Sequence, residues 1–281
     1  MPCSVRESYL CSAIVSTSFV AIVTPESAVA AAAGPLSSPA VAEPIHIRPT
    51  APLAERALLP GDPGRALALA VALFDAPPRM FNHHRGLWGY TGTALDGEPL
   101  TVQSTGLGGP SAAIVLEELR ALGLRRAVRV GTCTALGAAV GLGETIAVRD
   151  ALAADGTSRA LGAGDRVTAD PELTAALARE AGHAGTVVSA DVFYDDAPAA
   201  RDGWAAAGAL AIDLQTAAVL AVAHRRGISA GAILTVAARG DERLDDEGVA
   251  AATGQAATAA LAALAVRAGG PVPARGAAAS G

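Results

Sequence analysis

The sequence predicts an α/β fold, a single domain with a central mixed β-sheet flanked by helices. Three observations carry that expectation. Short apolar segments of strand length alternate with segments of helical period from residue 56 to residue 267. Gly and Pro punctuate the junctions, as at Pro60, Gly61, Pro63 and Gly64, and again at Gly106, Gly108, Gly109 and Pro110. The chain has 281 residues, enough for one large domain with an ample core. Much of its 51% hydrophobic content is Ala, a compositional bias that carries little functional weight. The formal net charge of -6 argues against a general nucleic-acid binder while leaving room for a local basic pocket. Cys3, Cys11 and Cys133 show neither paired spacing nor a metal-ligand pattern, which suits a reduced, cytoplasmic interior.

Residues 1–43 stand apart. An apolar run over residues 10–23 follows Arg6, and a small-residue tract over 28–33 leads into a Pro/Ser segment. The pattern reads either as a signal-like segment or as a disordered extension, and it is too short for a membrane span. The domain is expected over 44–268, with a disordered Gly, Pro and Ala tail over 269–281.

Within the domain, residues 56–59 read as a strand running into Pro60, Gly61, Asp62, Pro63, Gly64 and Arg65, with a helix from about Ala66. A turn that presents backbone N–H groups and an Arg at a helix start suits an anion. A hairpin is expected around residues 88–95 and 99–104, joined by Asp96 and Gly97. His83 and His84 are adjacent, so in a strand their side chains point to opposite faces, and no metal site is expected there. Residues 111–122 carry apolar Ala112, Val115, Leu116, Leu119 and Leu122 at helical spacing, with Glu117, Glu118 and Arg120 facing out, and Gly123 closes the helix. A buried strand over 124–130 then reaches a second small-residue turn at Gly131, Thr132 and Cys133. Strands at 145–148, 185–189, 209–212 and 231–236 alternate with helices at 171–181, 215–226 and 246–267.

Several separated motifs now agree. PGDPGR at 60–65, HRG at 84–86, STGLGGPS at 104–111, EELRALGLRRAVRVGT at 117–132, DGTS at 155–158 and SADVFY at 189–194 occur in consistent order. On these, the chain resembles the nucleoside phosphorylases of the hexameric purine/uridine type, and most closely the uridine branch. The resemblance implies phosphorolysis of a nucleoside to free base and ribose 1-phosphate, a pentosyltransferase reaction of nucleoside catabolism and salvage. Inorganic phosphate is the co-substrate and no cofactor is needed. It further implies that Gly61, Arg65, Arg129 and Thr132 hold the phosphate, with Arg85 reaching in from a neighbouring subunit. His46 would cross the interface to the sugar, Phe193 would stack on the base, and Asp213, Leu214 and Gln215 would lie against the ribose. Arg129 and Gln215 are the residues implied for catalysis. The partners implied are nucleoside, phosphate and further copies of the chain in a dimer-based hexamer, with no nucleic acid and no membrane.

Two departures fall on the nucleoside half. The resemblance expects Glu-Met-Glu where this chain has Asp213, Leu214 and Gln215, so the acidic acceptor for the ribose hydroxyls becomes an amide. Purine enzymes carry a Ser-Asp pair, its Asp protonating the base, where this chain has Ala237 and Ala238. Arg239 lies close to the place of an Arg in the uridine branch, whereas the residues that read uracil there are not evident in Asp195, Asp196, Ala197 or the residues up to Arg201. The expectation is therefore a uridine-like substrate, with a purine nucleoside phosphorylase or a catalytically weakened nucleoside-binding homologue as alternatives.

Overall fold

The computed structural model describes residues 43–194 and 198–265. The signal-like segment and the tail expected from the sequence lie outside the described residues, apart from Glu43, as do Asp195, Asp196 and Ala197.

The strands are β1 (Arg56–Leu59), β2 (Arg79–Asn82), β3 (Gly89–Thr93), β4 (Pro99–Gln103), β5 (Arg126–Ala135) and β6 (Thr145–Ala153). After them come β7 (Arg166–Thr168), β8 (His183–Ser189), β9 (Ala209–Asp213), β10 (Ser229–Arg239) and β11 (Glu242–Arg243). All belong to one mixed sheet in the order β11-β10-β6-β8-β9-β5-β1-β4-β3-β2, with β7 on β6. β5 also pairs with β10, in parallel from Arg126 opposite Ser229 to Ala135 opposite Arg239. That pairing closes β10, β6, β8, β9 and β5 into a circuit, and β1, β4, β3 and β2 extend from it. β5 thereby touches three strands, so a residue on it can meet groups from several others.

Helices cover both faces of the sheet. α2 (Gly108–Ala121) and α6 (Thr216–Arg226) pack together on one side, whereas α1 (Pro63–Leu73), α4 (Pro171–Leu177) and α7 (Asp246–Ala265) lie on the other. The short α3 (Gly156–Ala160) and α5 (Pro198–Ala206) complete the set. Alternation along β1 feeds both cores: Ala57 and Leu59 join the cluster under α2 and α6, and Leu58 joins the one under α1 and α7. Alanine fills much of the second core, since Ala256, Ala257, Ala260 and Ala263 let α7 approach the sheet closely.

Local chemistry sets the boundaries. Asp62 caps α1 by accepting from Arg65 N at 2.6 Å, and Pro63 occupies the first turn, so the helix begins earlier than Ala66. Gly97 (φ 82°) closes the β3–β4 hairpin, and Arg56 grips Asp96 through two 2.6 Å hydrogen bonds. One expectation fails: Gly131, Thr132 and Cys133 form no turn, because β5 runs through them to Ala135, held by β10 and β9. The glycine there has a different purpose, described next.

Candidate active site

Arg129 lies at the centre of the site. It projects from β5, is 4% exposed, and its guanidinium lies against the backbone of Gly131, two residues along the same strand face. A Cβ at Gly131 would lie 2.7 Å from Arg129 Nη2. Glycine at 131 therefore makes room for the guanidinium.

Three groups at the junction of β9 and α6 hold Arg129. Its Nε and Nη2 donate to Asp213 Oδ2 at 3.1 and 2.9 Å, Nε also to Thr216 Oγ1 at 3.2 Å, and Nη1 to Gln215 Oε1 at 2.6 Å. Of five guanidinium N–H groups, these bonds engage three, leaving one on each terminal nitrogen. Asp213 is in turn fixed by Ser189 Oγ at 2.5 Å and by the Thr216 N–H and hydroxyl at 3.0 and 2.6 Å. Breaking such a buried pair leaves an uncompensated charge, so loss of either partner is costly.

Arg65 faces the same region from the first turn of α1. Among the described residues its guanidinium makes no hydrogen bond or ion pair; only its backbone N–H is engaged, by Asp62. Burial lowers its pKa, Asp62 opposes that, and the charge of Arg129 adds to it. Arg65 stays charged, so two guanidinium groups repel one another across a partly desolvated space. The Gly61 and Gly106 backbones meet there, Gly106 N donating to Gly61 O at 3.0 Å. Gly106 requires its residue type: φ is 73°, and a Cβ would collide with the Ser111 hydroxyl.

The remaining site residues fall into separate neighbourhoods. His46 lies beside the turn that carries Arg85: His84 Nδ1 bonds His46 O at 3.1 Å, and Arg85, at φ 59°, lies exposed in the 3-10 turn His84–Gly86. Neither makes a hydrogen bond or ion pair with Arg129 or Arg65. Thr132 follows Gly131, so alternation turns it to the opposite face from Arg129, opposite Thr235, whose buried hydroxyl lacks a partner among the described residues. Phe193 is 54% exposed and edge-on to Tyr194, on a segment tied to the site by Ala190 N donating to Asp213 O at 3.0 Å. Leu214 is half-buried between Asp213 and Gln215. Arg239 pairs with Glu242 at 2.7 Å in the β10–β11 hairpin, away from Arg129. Ala238 is buried beside a register shift in β10.

Sequence reasoning missed the supports. Ser189 stands in a recognised motif, yet only its hydroxyl bond to Asp213 reveals its part. Glu118 reads as an outward charge on α2 but is 4% exposed. It accepts from the N–H groups of Ile45, His46 and Ile47, the last at 2.6 Å, and from His46 Nδ1 at 2.7 Å. It thereby fixes the start of the domain and the orientation of His46. Burial alone would raise the Glu118 carboxyl; the His46 bond and the three N–H bonds outweigh burial and hold it below its ordinary value of 4.5. A depressed carboxyl contributes stability that is complete above the unfolded pKa and lost as pH falls through the folded one. Glu118→Gln is therefore expected to lower stability at pH 7 and to converge on the parent in acid, below about pH 4.5. Urea melts at both pH values check this; a gap that persists unchanged in acid counts against it.

The Phosphorylase superfamily matches residues 55–268. The guanosine phosphorylase of Halorubrum lacusprofundi is 38% identical over 192 residues, 65% of this chain and 77% of that protein. A DeoD-type purine nucleoside phosphorylase of Clostridium perfringens is 39% identical over 199 residues, 66% and 81% of the two chains. The uridine phosphorylase of Escherichia coli is 32% identical over 202 residues, 64% and 78% of the two. Among solved structures, uridine phosphorylase from Vibrio fischeri aligns with a TM-score of 0.69 at 25% identity, covering 75% of this chain and 91% of that one.

Proposed function

The chain belongs to the phosphorylase superfamily, and on that premise we propose that it is a nucleoside phosphorylase whose substrate is a pyrimidine nucleoside of the uridine type. The observation that carries phosphate use is the unpaired Arg65 guanidinium beside Arg129, with two N–H groups of Arg129 uncommitted. Guanidinium groups with uncommitted N–H donors suit a phosphate dianion, because each planar group can meet two of its oxygens. The Gly61 backbone N–H adds a neutral donor at the same place. In the reaction, a phosphate oxygen forms a bond to C1′ as the bond from C1′ to the base nitrogen breaks. The base nitrogen takes the bonding pair. Holding a desolvated nucleophile beneath the sugar supplies the positioning. Arg85 and His46 complete the site from a second copy of the chain.

Base preference is supported by Ala237 and Ala238, which carry no proton to give. A leaving purine benefits from protonation on its imidazole ring. A uracil anion instead spreads its charge over two carbonyl oxygens and needs only hydrogen-bond donors. A second reading, cleavage of purine nucleosides, is favoured by the relatives named for guanosine and purine substrates, at 38 and 39% identity.

The assay is purified protein with uridine, thymidine, inosine, guanosine and adenosine, each with and without phosphate. Uridine is expected to release uracil only when phosphate is present. Faster turnover of inosine or guanosine selects the second reading, and equal release without phosphate overturns phosphate use.

A further inference from the structure

Every hydrogen-bonding position of the Gln215 amide faces a partner inside the protein. A carboxamide offers two acceptor lone pairs and two N–H donors. Gln215 Oε1 accepts from Arg129 Nη1 at 2.6 Å and from Thr105 Oγ1 at 3.2 Å, the one hydroxyl proton of Thr105 being shared with Pro60 O at 3.3 Å. Its Nε2 donates to the carbonyl oxygens of Gly106 at 2.8 Å and Gly108 at 3.2 Å. The residue is 3% exposed, and a Cβ on Gly61 would lie 3.4 Å from its oxygen, so the amide is walled in as well as fully bonded.

We propose that Gln215 is a positioning residue: it latches the glycine turn at residues 106–108 onto Arg129 and leaves the sugar to other groups. The functional part of the proposal rests on reading the site as a phosphate pocket. The chemistry requires an amide. An ionised carboxylate at 215 accepts from Arg129 equally well but has no N–H for the two carbonyl oxygens, and it would set negative charge against both. It would also place a second carboxylate on Arg129, which Asp213 already pairs, and so compete with a phosphate dianion for the same guanidinium. The neutral amide holds the turn closed without cancelling the field that attracts phosphate. Gln215 is thus the residue that suits this site, and no weakened form of an acid.

The test compares the parent with Gln215→Glu and Gln215→Met in two measurements. The first is steady-state kinetics with phosphate and nucleoside varied separately. Gln215→Glu is expected to raise the KM for phosphate by about tenfold or more, change the nucleoside KM by less than about threefold, and recover turnover at saturating phosphate. The second is amide hydrogen exchange across residues 105–111, which is expected to quicken by about tenfold in both variants as the latch opens. Higher turnover in Gln215→Glu with an unchanged phosphate KM overturns the proposal, because that is the signature of an acceptor serving the sugar. Unchanged exchange in both variants overturns the latch whatever the kinetics. If the parent shows no phosphate dependence, the phosphorylase reading fails, and exchange still decides the latch.

Discussion

Arg129→Met is expected to abolish phosphate-dependent base release, lowering kcat/KM for phosphate by about a thousandfold or more. It removes a buried cation that contacts the β9–α6 junction, keeps two N–H groups uncommitted among the described residues, and acts electrostatically on Arg65. The same substitution strands Asp213, 4% exposed, without its counter-charge, and that is expected to cost about 3–5 kcal/mol of stability. Loss of activity could therefore come from unfolding alone. The double variant Arg129→Met with Asp213→Asn separates the two effects. Asparagine keeps one oxygen for the Ser189 hydroxyl and the Thr216 N–H, turns its amide N–H toward Thr216 Oγ1 as acceptor, and carries no charge to strand. The double variant is expected to regain most of the melting temperature and none of the phosphorolysis. Recovered turnover in it would mean that Arg129 serves only the fold.

That pairing also marks where the sequence is informative and where it is not. The alternation of strand and helix periods is a local signal, and it placed β1, the β3–β4 hairpin, α2, β9 and α6 within a few residues. The short β2, β7 and β11 carry almost no periodic signal, and pairing with longer neighbours is what defines them. β5 shows the opposite failure. Gly131, Thr132 and Cys133 look like a turn by composition, yet β10 and β9 supply backbone partners that carry the strand through. Site chemistry divides in the same way. Arg65 and Arg129 stand out because charge beside glycine is rare in a buried strand or turn. Nothing in the letters says that Gln215 is saturated, because its partners come from residues about 86 to 110 positions away. Glu118, paired across 71 to 73 positions with the start of the domain, is invisible for the same reason.

Gly131→Ala is expected to cost about a hundredfold in kcat/KM while leaving a folded protein. The backbone at 131 is ordinary strand with no positive φ, so alanine introduces no conformational strain. Its methyl would instead sit 2.7 Å from Arg129 Nη2, 2.9 Å from Cζ and 2.8 Å from Leu234 Cδ2. Leu234 is packed in the core, whereas the guanidinium is the far end of a flexible side chain, so Arg129 moves first. Any such movement lengthens the bonds to Asp213 and Gln215 together and displaces the two uncommitted N–H groups. The effect should fall mainly on phosphate, as a raised KM with a smaller loss in kcat, because the displaced group meets that reactant. Gly137→Ala provides the control: a methyl there meets nothing within 4 Å, and kinetics should stay within about twofold of the parent. Parental kinetics in Gly131→Ala would show that the guanidinium tolerates displacement, and the case for a preorganised phosphate pocket would fall with it.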